Sequence, residues 1–543
     1  MTSPFQTAGT VPVAPGGRAG TPHSAFGSGM ALHIYNTLTR RKEPFQPLEA
    51  GRVRMYACGV TAYDECHIGH ARAALTFDVI LRALEARGYA VTYVRNFTDV
   101  DDKIIARAAA LGEPWFEVAT RYIATYHRDM DRLGLRRPHV EPRATEHIPQ
   151  MIALIEELVG CGIAYPVDGD VYFAVSRFPG YGKLSGRDPA ELRAGARVEV
   201  DERKHDPLDF ALWKASKPGE PTWDSPWGPG RPGWHIECSA MSVHYLGQPF
   251  DIHGGGADLV FPHHENEIAQ SEATGGRLLA RVWIHNGFVN IRAEKMSKSV
   301  GNVLNVKDLL DRFSPEALKL FLLGTHYRGP VDFSDERLEE AERSAERLRE
   351  VVRAVEHLPV PAETAGARIV PDHPAVAAAS RARGEFDDAV DDDFNTPRAL
   401  GALFTLVREL HVARQQVERA PDPAGIAACR AAVGILEALA GVLGIRVRPE
   451  GAGRFTLPAD DPGLRALRDL LANRPDLGRI EDVPWDETAV EVDPIVERAV
   501  QVFRAEARRR KDWTFADRLR DLLRRVGVEV KDTPQGPRWE RQA

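Results

Sequence analysis

Cysteine is scarce in this chain, with 5 in 543 residues: Cys58, Cys66, Cys161, Cys238 and Cys429. An odd, thin scatter of thiols excludes a disulfide scaffold and fits a reducing compartment. Long apolar runs are missing as well. None approaches the ~20 residues that span a bilayer, so a cytoplasmic protein without membrane contact is expected. Nor is positive charge in excess; 70 Lys and Arg against 78 Asp and Glu give a net charge of −8. That balance excludes a uniformly basic coat for nucleic acid and leaves room only for a local patch. Residues 1–29 contain neither an acidic side chain nor an apolar core segment, and read as a disordered extension rather than a signal peptide.

What is present is a long chain of ordinary globular composition, 43% hydrophobic and 27% charged, enough for ~3–4 domains. Residues 54–61 read as a buried strand. Leu75, Phe77, Ile80, Leu81 and Leu84 then recur at helical spacing up to a capping Gly88, and residues 90–94 read as a second strand. A β-α-β unit of this kind crosses over right-handedly and implies a parallel sheet. Residues 101–162 are helical in pattern, 164–227 break into short apolar pieces between Pro and Gly, and strands resume at 250–253 and 282–285. A long helical pattern rich in Glu and Arg runs from 334 to 443. Prolines and charges mark 446–493 as a flexible linker, and a compact piece at 495–539 holds two helices and a short strand at 528–530.

Chemistry concentrates in three places. His67-Ile68-Gly69-His70 sits between the first strand and its helix, at the carboxyl edge of the sheet, where open α/β folds bind ligands. Gly69 lets a flat ring approach the backbone, and histidines at a helix N-terminus can donate to phosphate oxygens. Taken alone, these residues equally suit an ordinary helix entrance with surface histidines. Far along the chain, Lys295-Met296-Ser297-Lys298-Ser299 supplies two lysines suited to clamp a developing pyrophosphate. His263 and Glu267 are four positions apart and share a helical face. With Cys58 and Cys238 they form an S, S, N, O donor set suited to tetrahedral zinc, with His264 and Cys66 as alternatives that spacing leaves open.

The first and third elements, in this order on two halves of an interrupted parallel sheet, resemble the signature pair of class I aminoacyl-tRNA synthetases. Over residues 34–539 the chain resembles more narrowly the bacterial-type cysteinyl-tRNA synthetase family. The resemblance is carried by Tyr93-Val94-Arg95-Asn96-Phe97-Thr98-Asp99-Val100-Asp101-Asp102-Lys103, by Gly230-Arg231-Pro232-Gly233-Trp234-His235-Ile236-Glu237-Cys238-Ser239-Ala240-Met241, by Phe250-Asp251-Ile252-His253-Gly254-Gly255-Gly256-Ala257-Asp258 and by Asp393-Phe394-Asn395-Thr396-Pro397.

That resemblance implies an α/β class: a Rossmann-like parallel sheet with an insertion domain, then a helical bundle and a small C-terminal α+β domain. The expected division is an N-terminal extension (1–29), first catalytic half (30–150), insertion (151–229), second catalytic half (230–290), signature-loop and stem-contact region (291–340), bundle (341–445), linker (446–493) and anticodon-binding domain (494–543). One Zn²⁺ per chain, on Cys58, Cys238, His263 and Glu267, would select the thiol of L-cysteine. ATP, accompanied by Mg²⁺, would meet His67, Gly69, His70, Gly254, Gly255, Gly256, Asp258, Lys295 and Lys298. Thr61, Trp234 and His253 would line the amino-acid pocket. Arg508, Trp513, Asp517 and Asp532 would contact tRNA(Cys), and the enzyme would be a monomeric cysteine–tRNA ligase.

Two other readings fit part of the pattern. An ATP-dependent ligase joining cysteine to an amino sugar, in low-molecular-weight thiol synthesis, shares the nucleotide and zinc motifs but lacks a full module like 495–539. A non-catalytic RNA-binding paralogue would lose signature residues, whereas His67, His70, Lys295, Lys298 and all four donors are intact here.

Overall fold

The computed structural model describes residues 31–191, 203–291, 294–295, 304–358, 373–448, 456–458, 461–474, 476–477, 489–491, 495–496, 498–533 and 536–541. The chain divides into two compact units, residues 1–446 and 447–543.

The first unit is organised by a four-stranded parallel sheet in the order Ala280–Asn286, Phe250–Gly256, Arg52–Thr61, Ala90–Thr98. Its two halves come from distant parts of the chain and meet where Met55, Tyr56 and Ala57 pair with Ile252, His253 and Gly254. The strand Ala90–Thr98 runs four residues beyond the expected end. Arg95, Asn96 and Thr98 interrupt the apolar run yet are buried, since each finds a partner inside. Helix Ile68–Ala86 packs on Ala90–Thr98 and Ala280–Asn286, and ends beside Gly88 at φ 84°. Helix Trp234–Leu246 packs on Arg52–Thr61 and Ala90–Thr98. Alternation along a strand puts Tyr56 and Cys58 on one face, in the same apolar cluster as Ile236, Ala240 and Met241 of that helix.

Between the halves stands an antiparallel sheet of Ala164–Val167, Asp170–Phe173, Phe210–Ala215 and Gly230–Pro232. Beyond these two sheets come helices Asp335–Glu356, Pro374–Asp391, Thr396–Arg419 and Pro423–Val442. Ser334, His373, Asn395 and Asp422 cap them by accepting from backbone N–H groups. The last helix corrects one expectation: at 20 residues it is long and apolar enough to cross a membrane. Arg430 and Glu437 interrupt the run in sequence, but Ile426, Ala428, Ala432, Val433, Leu436 and Leu439 are buried, and the helix packs on the other three bundle helices. Its apolar surface is therefore the bundle core.

The second unit also departs from expectation. The segment expected to be a linker contains helix Pro462–Ala472, whose Leu464, Leu467 and Leu471 are buried with Phe503, Leu519 and Leu523 in one core. Asp461 caps it and accepts from Leu464 N. An acidic cap followed by Pro at the first turn is a start signal for a helix, which a proline count misreads as a break. After helix Trp513–Arg525, strand Val528–Thr533 pairs with Gly536–Arg541 in an antiparallel hairpin.

Candidate active site and metal centre

The first strand bulges between Ala57 and Val60. Gly59 makes that possible: a Cβ there would stand 1.6 Å from the carbonyl oxygen of Asn96 on the next strand. Its N–H donates to Asn96 Oδ1 at 2.9 Å, and Cys238 Sγ lies 3.6 Å from the same oxygen. The bulge thus fixes Cys58 under the helix that carries Cys238.

Cys58, Cys238, His263 and Glu267 are all buried, and one donor atom from each lies within 4.8 Å of every other. Cys58 Sγ donates to Glu267 Oε1 at 3.3 Å, and His263 Nε2 lies 3.0 Å from that oxygen. Two sulfurs, an imidazole and a carboxylate converging without solvent fit a divalent zinc ion. A second set, Cys58, His253, His264 and Glu267, meets the same distance limit. His264 Nδ1 is 2.7 Å from His285 Nε2, however, whose other nitrogen is 2.8 Å from Thr37 Oγ1. His253 Nε2 is 2.7 Å from Glu267 Oε2, and its ring stacks on Trp283 at 4.3 Å. Both rings are thereby committed to orienting the donors rather than replacing them. His253 is wholly buried, with its Nε2 directed at Glu267. Cys66 lies elsewhere, its Sγ 3.6 Å from His70 Nδ1.

The electrostatics follow from crowding. Burial alone would lower His263, but the Glu267 carboxylate and Cys238 hold it protonated, up to about 10. Burial would raise Cys238; hydrogen bonding from Cys58 and the charge of His263 bring it down to about 6. Cys58 is pushed well above the thiol range by burial and by Cys238. Against the cost of its own burial, Glu267 lies well below the carboxylate range beside His253 and His263. Burial keeps His264 and His285 neutral, the latter lowered to about 3.

Trp234 opens its helix with 37% of its surface exposed and its ring 4.4 Å from that of His263. Thr61 ends the first strand directly opposite Thr98. Thr98 Oγ1 donates at 2.7 Å to Glu237, which burial and Cys238 push well above the carboxylate range. Asn96, Thr98 and Glu237 went unread in the sequence. For Asn96 and Thr98 the signal was polar side chains alternating within a strand that stays buried, whereas Glu237 sits in the first turn of helix Trp234–Leu246.

His67 caps helix Ile68–Ala86, and its ring stacks on His70 at 3.6 Å. Ile68 N donates to Leu304 O and Val306 N to Cys66 O. The chain immediately after the lysine loop is thereby bonded to the first signature turn. Lys295 lies in the strand Glu294–Lys295, while Lys298 falls outside the described residues. Gly254 and Gly255 are buried in Phe250–Gly256. A Cβ on Gly254 would meet Phe77 of the first helix at 2.5 Å, and one on Gly256 would meet Asp258 Oδ1 at 2.5 Å. Gly254 therefore serves close helix–sheet packing.

In the second unit, Trp513 is 54% exposed, with the Arg508 guanidinium 5.6 Å from its ring centroid. Asp517 pairs with Arg520 at 2.8 Å. Asp532 stands in the hairpin opposite Pro537.

Residues 44–343 match the model of the class I (C) tRNA synthetase catalytic domain, and residues 385–448 that of the DALR domain. The structure resembles *Mycobacterium tuberculosis* methionyl-tRNA synthetase in complex with methionyl-adenylate, with a TM-score of 0.58 at 18% identity over 74% of this chain and 92% of that one. Sheet, insertion and family model together define a class I aminoacyl-tRNA synthetase catalytic core. The cysteine–tRNA ligase of Geobacter sulfurreducens is 51% identical over 511 residues, 94% of this chain and 100% of that protein. That of Pelotomaculum thermopropionicum is 49% identical over 515 residues, again 94% of this chain and 100% of that one. The chain belongs to the cysteine–tRNA ligase family.

Proposed function

We propose that this protein activates L-cysteine with ATP and transfers it to the 3′ end of tRNA(Cys). The observation that carries the reading is the buried S, S, N, O donor set, flanked by the exposed ring of Trp234. Cys58, Cys238, His263 and Glu267 would hold Zn²⁺. When bound, that ion supplies a soft Lewis acid that favours a thiolate over a hydroxyl, a larger discrimination than shape alone gives between cysteine and serine. His253 and Asn96 orient the donors, and Trp234 covers the side-chain pocket with Thr61 nearby. His67 and His70 meet ATP phosphates at the helix N-terminus, accompanied by Mg²⁺. Gly69, Gly254, Gly255, Gly256 and Asp258 would floor the adenosine, with Gly254 also packing the helix against that floor. Lys295 and Lys298 would stabilise charge as the cysteine carboxylate attacks the α-phosphorus and pyrophosphate leaves. A terminal ribose hydroxyl of the tRNA then attacks the carbonyl and AMP departs. The Arg508–Trp513 pair, with Asp517 and Asp532, would read the anticodon, since unstacked bases stack on aromatics. Five cysteines with no disulfide among them suit the cytoplasm.

Cysteine-dependent ATP–pyrophosphate exchange followed by charging of tRNA(Cys) tests the reading. Exchange and charging together are expected. Exchange without charging would favour the amino-sugar ligase, and no exchange would end the enzyme reading.

A further inference from the structure

Two consecutive non-glycine residues of the bundle, Asp393 at φ 63° and Phe394 at φ 50°, hold the left-handed conformation between helices Pro374–Asp391 and Thr396–Arg419. Backbone strain of this kind persists only where its surroundings impose it. Here the surroundings are Tyr35, His33 and the segment at Tyr327 and Arg328, which in turn meets the elements next to the two nucleotide motifs.

Asp393 is wholly buried and uses both carboxylate oxygens. Oδ1 accepts from Tyr35 N at 2.8 Å and from Tyr327 OH at 2.7 Å. Oδ2 accepts from Arg328 Nε at 2.8 Å, and the Asp393 N–H donates to His33 O at 2.9 Å. The segment thus clamped, residues 326–329, presents its carbonyls to one side chain, Arg72. That buried guanidinium donates to Tyr327 O at 3.2 Å, to Gly329 O, and on its other arm to Phe288 O at 2.6 Å. Arg72 stands two residues after His70, in the first turns of the helix that the signature turn opens. The same segment also supports the other motif. Val331–Phe333 pairs in parallel with Val289–Ile291, which pairs in turn with Glu294–Lys295.

We infer that Asp393 is a positioning residue for adenylate formation: from the bundle, it fixes the segment that anchors Arg72 and the strand leading to Lys295, and so sets the spacing of the two nucleotide motifs. The inference rests on the proposed ligase activity. A shift of about 1 Å in such a constellation costs up to roughly 100-fold in rate without touching substrate.

The test is a pre-steady-state burst of cysteinyl-adenylate, recorded for the parent and for Asp393→Asn with zinc content and active-site titre. For Asp393→Asn we expect a full burst amplitude, one zinc per chain, KM values for ATP and cysteine within about threefold, and a burst rate at least about tenfold slower. Should Asp393→Asn fail to fold, Tyr327→Phe removes a single donor to Asp393 and should slow the burst about threefold at full amplitude. A merely structural residue would lower amplitude and leave the rate. An unchanged rate in whichever variant folds, or a loss confined to amplitude, overturns the inference. A parent with no burst at all would instead sink the proposed activity, so the two failures are distinguishable.

Discussion

Under the proposed function, the cluster around Cys238 and the surface around Trp513 would solve recognition in opposite ways. At the cluster every donor is at most 7% exposed, and each is held by a further group: Cys58 by the bulge at Gly59, Glu267 by His253, Cys238 by Asn96 and His263 by His235. At the other, Trp513 is 54% exposed and the basic run bonds its own acidic neighbour, Arg509 and Arg510 both reaching Glu506. A small thiol offers one atom to read, so its site must be over-determined and dry. A folded RNA offers many phosphates and bases, so its surface can spread recognition over residues that are individually weak. Damage should therefore be all-or-none in the first region and graded in the second.

The sharpest way to break that contrast is Cys238→Ser. It replaces a sulfur donor that burial would otherwise keep protonated with a hydroxyl that stays protonated. Zinc content by atomic absorption should fall to background and cysteine-dependent exchange by roughly 1000-fold or more. Retained metal would show that the second set, with His264 and His253, holds the ion.

Next in size is a pH effect. At neutrality His263, raised to about 10, and Cys58, raised well above the thiol range, each carry a proton. Cys238, at about 6, and Glu267, far below neutrality, do not. Zinc must displace both protons, so its affinity weakens on acidification. Raising the pH from about 7 to about 8 should tighten binding about 100-fold, with about two protons released per ion. Chelator competition at the two pH values and calorimetry in two buffers measure this; a pH-independent affinity would deny the crowding that sets these protons.

The two regions also differed in how much the sequence disclosed. The four donors, the signature turn and the parallel sheet were legible because chemistry and backbone geometry each allow few residue types there. The bond from His253 to Glu267 was not legible, since nothing local to His253 announces a partner fourteen positions away in sequence and 2.7 Å away in space. The linker was misread because Asp461-Pro462 signals a start as well as a break. The hairpin strand Gly536–Arg541 escaped because Pro537, Arg538 and Glu540 carry no alternation. The Asp393 corner showed only as a motif, because its meaning lies in carbonyls presented by residues 326–329.

Trp513→Ala sharpens the contrast from the other side. Losing one stacking platform should lower kcat/KM for charging about 10- to 100-fold, while exchange stays at the parent level. A matching loss of exchange would merge the two regions into one functional unit.

The smallest effect belongs to Arg509→Ala. The Arg509 side chain is 75% exposed, 2.6 Å from Glu506 Oε1, and Glu506 keeps Arg510 as a second partner. Solvent screens such a pair, so charging should change by less than about twofold and Tm by less than about 2 °C. Its pH signature has a definite sign. Hydrogen bonds from Arg509 and then Arg510 depress the Glu506 carboxyl from 4.5 to about 2. A depressed carboxyl contributes stability above its unfolded value and loses it as pH falls through the folded one. The small Tm gap between parent and variant should therefore close between about pH 4.5 and pH 2. A gap that widens there, or a charging defect as large as that of Trp513→Ala, would mean that Arg509 is held by Glu506 for RNA contact rather than left as a solvated neighbour.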